Sequence, residues 1–95
     1  MTLRWSPEAL QDLKDIRAYI SKDNPGAAKM IVARIVSYVR EQLPGNPEIG
    51  RPGRVAGTRE LVISNTPFVV PYRIGKEHID ILRVYHVARL WPDSF

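Results

Sequence analysis

A chain of 95 residues with 44% hydrophobic and 25% charged residues can build one core of two packed layers but not two cores, so a single domain spanning 1–95 is expected. The absence of cysteine excludes disulfides, thiolate chemistry and cysteine-based zinc or iron–sulfur sites, and two histidines are too few for a dedicated metal cage; no cofactor or metal is expected. Fourteen Lys and Arg against ten Asp and Glu leave a net charge of +4, which favours an acidic partner, whether nucleic acid or protein.

Thr2 to Trp5 alternates as a short strand, and Ser6-Pro7-Glu8 follows at once with an N-cap, a first-turn proline and a first-turn acid. Ala9, Leu10, Leu13, Ile16 and Ile20 then recur at helical spacing, with Gln11, Asp12, Lys14, Asp15 and Arg17 assigned to a wet face. Asp23-Asn24-Pro25 ends that helix and starts another, which is predicted over Pro25 to Leu43. Its wider apolar stripe, Ala28, Ile31, Val32, Ile35, Val36, Val39 and Leu43, suits contact with both the first helix and a sheet.

Gly45 to Thr58 is rich in Gly and Pro and reads as a long loop with little regular structure. Strands are predicted over Arg59 to Ser64 and Phe68 to Ile74. Pro71 in the second of these has no N–H for a ladder, so it should mark a bulge or an unpaired edge. The apolar run Ile79 to Arg89 is predicted as a strand buried on much of both faces, followed by a tail, Leu90 to Phe95. The order is β-α-α-β-β-β, an α+β fold in which a helical hairpin packs on a small, mainly antiparallel sheet. No basic and apolar leader is present, nor any run near the roughly 18 apolar residues of a membrane span, so no membrane association and a cytoplasmic location are expected.

The familiar catalytic constellations are missing: there is no Gly-rich phosphate loop, no paired-histidine motif, and no serine with a recommending local geometry. His86 reads either as a general base or as a satisfied structural residue at a strand end. What remains is an arginine set, Arg51, Arg54, Arg59, Arg73, Arg83 and Arg89, suited to phosphate or carboxylate. Arg51 and Arg54 read equally well as solvated loop residues.

The chain resembles the RelE/ParE superfamily of type II toxins over nearly its whole length. The carriers are Pro7 to Leu13 with Ile16 and Tyr19-Ile20, Asn24-Pro25 with Ala27-Ala28, Gly50 to Val55, Gly57 to Leu61, Tyr72-Arg73-Ile74, Ile81 to His86, Arg89 and Trp91-Pro92. The resemblance implies a growth-inhibiting toxin with a cognate antitoxin, in a hetero-oligomeric complex, acting either on DNA gyrase or as a nuclease on mRNA in the ribosome. When nuclease-type members are laid on this chain with their strand tyrosine at Tyr72, three of their cations fall at Glu60, Val62 and Val69. Their terminal arginine falls at Arg89 and their terminal tyrosine at Phe95, so one of five groups is retained. Together with the Val69 to Arg73 and Ile81 to His86 stretches, this implies a member closer to ParE, a gyrase poison to which no catalytic residue is assigned. Its target-binding candidates are Arg51, Arg54, Arg59, Arg89, Trp91 and Phe95. The alternatives are a ribosome-dependent endoribonuclease using Arg73, Arg83, His86 and Arg89, and an inactive toxin-derived binding module.

Overall fold

The computed structural model describes residues 1–89 and 91–95. Its elements are β1 (Thr2–Trp5), α1 (Pro7–Ser21), α2 (Pro25–Gln42), β2 (Arg51–Pro52), β3 (Arg59–Val62), β4 (Phe68–Ile74), β5 (His78–Ile81) and β6 (Tyr85–His86). The sheet runs β1-β5-β4-β3-β2, with β6 pairing β4 beyond the end of β5. Only β1 and β5 run parallel; every other pairing is antiparallel. This is the α+β arrangement expected from the sequence, with two short strands added.

Both helices start where their caps place them. Ser6 Oγ accepts the Ala9 N–H at 2.9 Å and Asn24 Oδ1 accepts the Ala27 N–H at 3.0 Å, each just before a proline whose missing N–H costs nothing in a first turn. The hairpin packs Ala9, Leu13, Ile35, Val39 and Leu43 against Leu61, Val70, Tyr72, Ile79 and Ile81 of the sheet. Leu10, expected on that stripe, is 47% exposed. Asp12, assigned to the wet face, is 7% exposed, because it stands three residues after Ala9 and four before Ile16, on the core side.

The loop from Gly45 to Thr58 is more ordered than its composition suggests. Pro47–Ile49 forms a 3₁₀ turn and β2 pairs with β3. Gly50 joins them where a side chain would not fit: a Cβ there would lie 2.6 Å from the Tyr72 hydroxyl and 2.8 Å from the Glu60 carbonyl oxygen. The hydroxyl is the reason for the approach, since it accepts the Gly50 N–H at 2.9 Å and donates to the Pro47 carbonyl at 2.6 Å.

Burial raises the pKa of Tyr72, so its neutral form stabilises the fold. That contribution should be complete below the ordinary value of about 10 and fade as pH rises through the higher folded value. Tyr72→Phe should cost about 1–3 kcal/mol by orphaning the Gly50 N–H. It should also flatten the alkaline limb of a stability profile measured by urea titration.

The C-terminal strand is not continuous. The pairs Tyr72–Ile81 and Val69–Tyr85 leave two residues of β4, 70 and 71, facing three, 82 to 84, which is a β-bulge. Pro71 causes it. The Leu82 N–H reaches the Pro71 carbonyl at 3.0 Å, and Pro71 has no N–H to return. The Leu82 carbonyl accepts instead from Ser6 Oγ at 2.8 Å. Thus the helix-capping serine also repairs the ladder that the proline breaks. The expected strand from Ile79 to Arg89 becomes β5, the bulge and β6, and residues 87–89 turn away. The strand expected over Arg59 to Ser64 ends at Val62, where Asn65 takes a left-handed φ of 63° in the turn and Thr66 Oγ1 donates to the Ile63 carbonyl.

Candidate functional site

Side chains of a strand alternate between faces, so Phe68, Val70 and Tyr72 look toward the helices while Val69, Pro71 and Arg73 look away. Val69 and Pro71 are nonetheless fully buried. Tyr85, paired beside Val69, is buried with them and sits at the centre of a cluster of aromatic rings and arginines.

The Arg83 and Arg89 guanidinium carbons lie 4.9 and 4.6 Å from the Tyr85 ring centroid. Trp91 meets the same ring edge-on at 5.0 Å, and Phe95 lies 6.2 Å away. Arg54 covers the Trp91 ring at 4.2 Å. Each arginine adds a cation–π attraction and each ring pair an edge or tilted contact, and together these hold the segment that carries Trp91 and Phe95 to the sheet. The Trp91 Nε1–H is buried without a hydrogen-bond partner among the described residues.

A buried acid organises the neighbouring arginines. Glu60 is 1% exposed; its carboxylate accepts from Arg51 Nε and Nη2 at 3.1 and 3.0 Å and from the Arg54 backbone N–H at 2.8 Å. Arg59 donates to the Glu48 and Gly50 carbonyls at 3.2 and 2.8 Å. The loop arginines are therefore anchored and not simply solvated, although Arg51 and Arg54 keep about half their side chains in solvent (52% and 47%).

The sequence-derived set thus divides. Arg54, Arg89, Trp91 and Phe95 converge around Tyr85; Arg51 and Arg59 are fastened at the adjoining edge. Leu90, expected in the tail, lies outside the described residues. Arg73 is exposed on the same face. Arg83 turns its guanidinium edge to Asp12, donating from Nε and Nη2 at 2.8 and 2.9 Å. His86 goes to the opposite side: it pairs with Phe68, meets that ring edge-on at 5.7 Å, and accepts the Ala88 N–H on Nδ1 at 3.1 Å. The bulge therefore separates His86 from Arg54 and Trp91.

On the helix side His86 borders a groove of about 590 Å³ lined by Ile16, Tyr19, Ile20 and Ile31 of the hairpin, with Phe68 and Arg89 at its sheet wall. Among the described residues no group of three or more His, Asp or Glu side chains could hold a metal ion. No described helix is long and apolar enough to cross a membrane.

Three residues central to this geometry, Tyr85, Glu60 and Asp12, escape a search for catalytic types. Asp12 and Glu60 do carry a signal. An acid on an apolar helical stripe or inside a buried strand needs a cation opposite it.

Residues 3–91 match the family described as the ParE toxin of type II toxin–antitoxin systems, parDE. The toxin candidate Y4kP of Sinorhizobium fredii is 47% identical over 90 residues, covering 95% of this chain and 92% of its own length. Toxin RelE2 of Caulobacter vibrioides is 37% identical over 86 residues, covering 90% and 94%. Among solved structures, a chain of the chromosomal ParDE system of P. aeruginosa superposes with a TM-score of 0.81 at 35% identity, over 90% of this chain and 95% of that one. A chain of the RelBE2 toxin–antitoxin complex of Mycobacterium tuberculosis does so with a TM-score of 0.64 at 27% identity, with the same coverage of each chain.

Proposed function

We propose that this chain, which belongs to the ParE toxin family of type II toxin–antitoxin systems, arrests growth by poisoning DNA gyrase and is neutralised by a cognate antitoxin. The observation that carries the gyrase reading is the division of the nuclease candidates between faces. His86 opens on the groove that Arg89 also borders, Arg83 is tied to Asp12, and Arg73 stays on the opposite face. The neighbouring Arg51 and Arg54 are held by the buried Glu60 carboxylate rather than left as the unopposed cations that phosphate chemistry needs. The Tyr85-centred face, by contrast, offers what a macromolecular contact uses: exposed arginine and aromatic groups held on a rigid support.

Purified toxin should block supercoiling or accumulate gyrase-cleaved DNA. Arg89→Glu or Trp91→Ala should weaken that effect by about 30-fold, the equivalent of ~2 kcal/mol for a central contact. Normal gyrase activity at excess toxin would overturn the assignment. The similarity to RelE2 supports the second reading, mRNA cleavage on the ribosome through Arg73, Arg83, His86 and Arg89. That reading predicts codon-linked cuts in a translation extract that His86→Ala abolishes.

The antitoxin is proposed to be acidic overall, complementing the net charge of +4, and to lay an apolar helix in the groove between α1 and the β4–β6 edge. An adjacent reading frame of that character, co-purifying with the toxin, is the expected finding.

A further inference from the structure

We infer that Asp12 is the positioning residue of the Tyr85-centred face, acting through the bulge at residues 82–84 to decide from which side of the sheet Tyr85 and His86 emerge. The inference rests on the reading of that face as the target-binding surface.

A one-residue change of register transfers every side chain of a strand to the other face. Continued without the bulge, the β4–β5 register that pairs Tyr72 with Ile81 would set Tyr85 opposite Phe68, on the helix side. His86 would then be carried onto the opposite face, that of Val69. With the extra residue Tyr85 lies opposite Val69, between Arg83 and Arg89, and His86 lies opposite Phe68 at the groove. The chemistry of both surfaces depends on that single residue of slack.

Three groups act on the bulge. Pro71 removes one ladder bond, which permits the irregularity but cannot aim it. Ser6 Oγ holds the Leu82 carbonyl at the start. Asp12 grips the rest, since Oδ2 accepts both the Val84 N–H at 2.9 Å and Arg83 Nε at 2.8 Å, while Oδ1 accepts Arg83 Nη2 at 2.9 Å. A short acid on α1 thereby fixes the path of two consecutive residues, 83 and 84, and, through Arg83, one cation over the Tyr85 ring.

The chain has no cysteine, so engineered pairs report on register without interference. The Val87 N–H bonds to the Pro67 carbonyl, which makes the next pair, Phe68 and His86, a non-hydrogen-bonded one with closely approaching side chains. Phe68→Cys with His86→Cys should oxidise readily in the native register; Phe68→Cys with Tyr85→Cys should close only if the strand slips. Asp12→Asn keeps an acceptor for Val84 and loses the charged fork on Arg83, so it should fold. In that background the slipped pair should close at least about fivefold faster and the native pair more slowly. General loosening would speed both pairs and overturn the inference, as would an unchanged preference.

In parallel, Asp12→Asn without cysteines should lose at least about tenfold in gyrase inhibition, and Asp12→Glu should restore part of it. A wild-type toxin inert toward gyrase would sink the target reading while the cross-linking result still decided the role of Asp12.

Discussion

Asp12→Ala is expected to lower stability by about 3–5 kcal/mol, a large part of the roughly 5–15 kcal/mol that a domain of this size possesses. The carboxylate is buried and receives three hydrogen bonds, two from Arg83 and one from the Val84 N–H. Its removal leaves a guanidinium with only 26% of its side chain exposed and without its hydrogen-bonded carboxylate, together with an orphaned amide. The raised pKa of Arg83, caused first by its hydrogen bonding to Asp12, has the same origin. The measurement is the urea midpoint at unchanged slope, or a fall in Tm of more than about 12 °C. Replacing both residues by apolar groups, Asp12→Leu with Arg83→Met, should recover much of the loss, because a buried pair is costly mainly when only one partner remains. A loss below about 1 kcal/mol for the single change would mean that Arg83 regains water freely and that the pair contributes little.

Glu60→Ala should cost somewhat less, about 2–4 kcal/mol. Glu60 is as thoroughly buried, but Arg51 and Arg54 are half in solvent and recover hydration when released. The uncompensated part is the Arg54 backbone N–H, which loses the Glu60 acceptor. The larger consequence is local. With Arg51 and the Arg54 amide both released, the loop that carries Arg54 to Trp91 loses its anchor, so Arg54 amide exchange and tryptic cleavage after Arg54 should both accelerate by more than about tenfold. Glu60→Gln, which keeps an acceptor for that amide, should fall between the two. Equal protection in all three proteins would show that β2 pairing alone orders the loop.

Much of the architecture is legible because its signals are local. Ser6-Pro7 and Asn24-Pro25 place both helix starts within a residue, and the strand predicted over Phe68 to Ile74 matches β4 at both ends. The broken C-terminal strand is half legible: Pro71 announces a fault in the ladder, but its location in the neighbouring strand depends on Ser6 and Asp12, some seventy residues away in sequence. Asp12 is misassigned for a related reason. Apolar periodicity asks which positions are hydrophobic, and an acid neutralised by a distant arginine looks solvated until the partner is known. The candidate arginines were visible as residues, but not the Glu60 clasp or the Tyr85 ring that divides their roles, since both arise from pairing across strands.

The parallel pairing of β1 with β5 also has a temporal side. Arg4 meets Asp80 and Ser6 meets Leu82 across 76 residues of sequence, so during synthesis β1 must wait for β5. At about 5–20 residues per second the interval is roughly 4–15 s. For the later part of it the nascent chain has its helical hairpin but neither β5, nor the bulge, nor Tyr85. The surface proposed to meet the target is thus assembled only after residues 79–95 have been made, and a ribosome that stalls before them delivers a fragment without it.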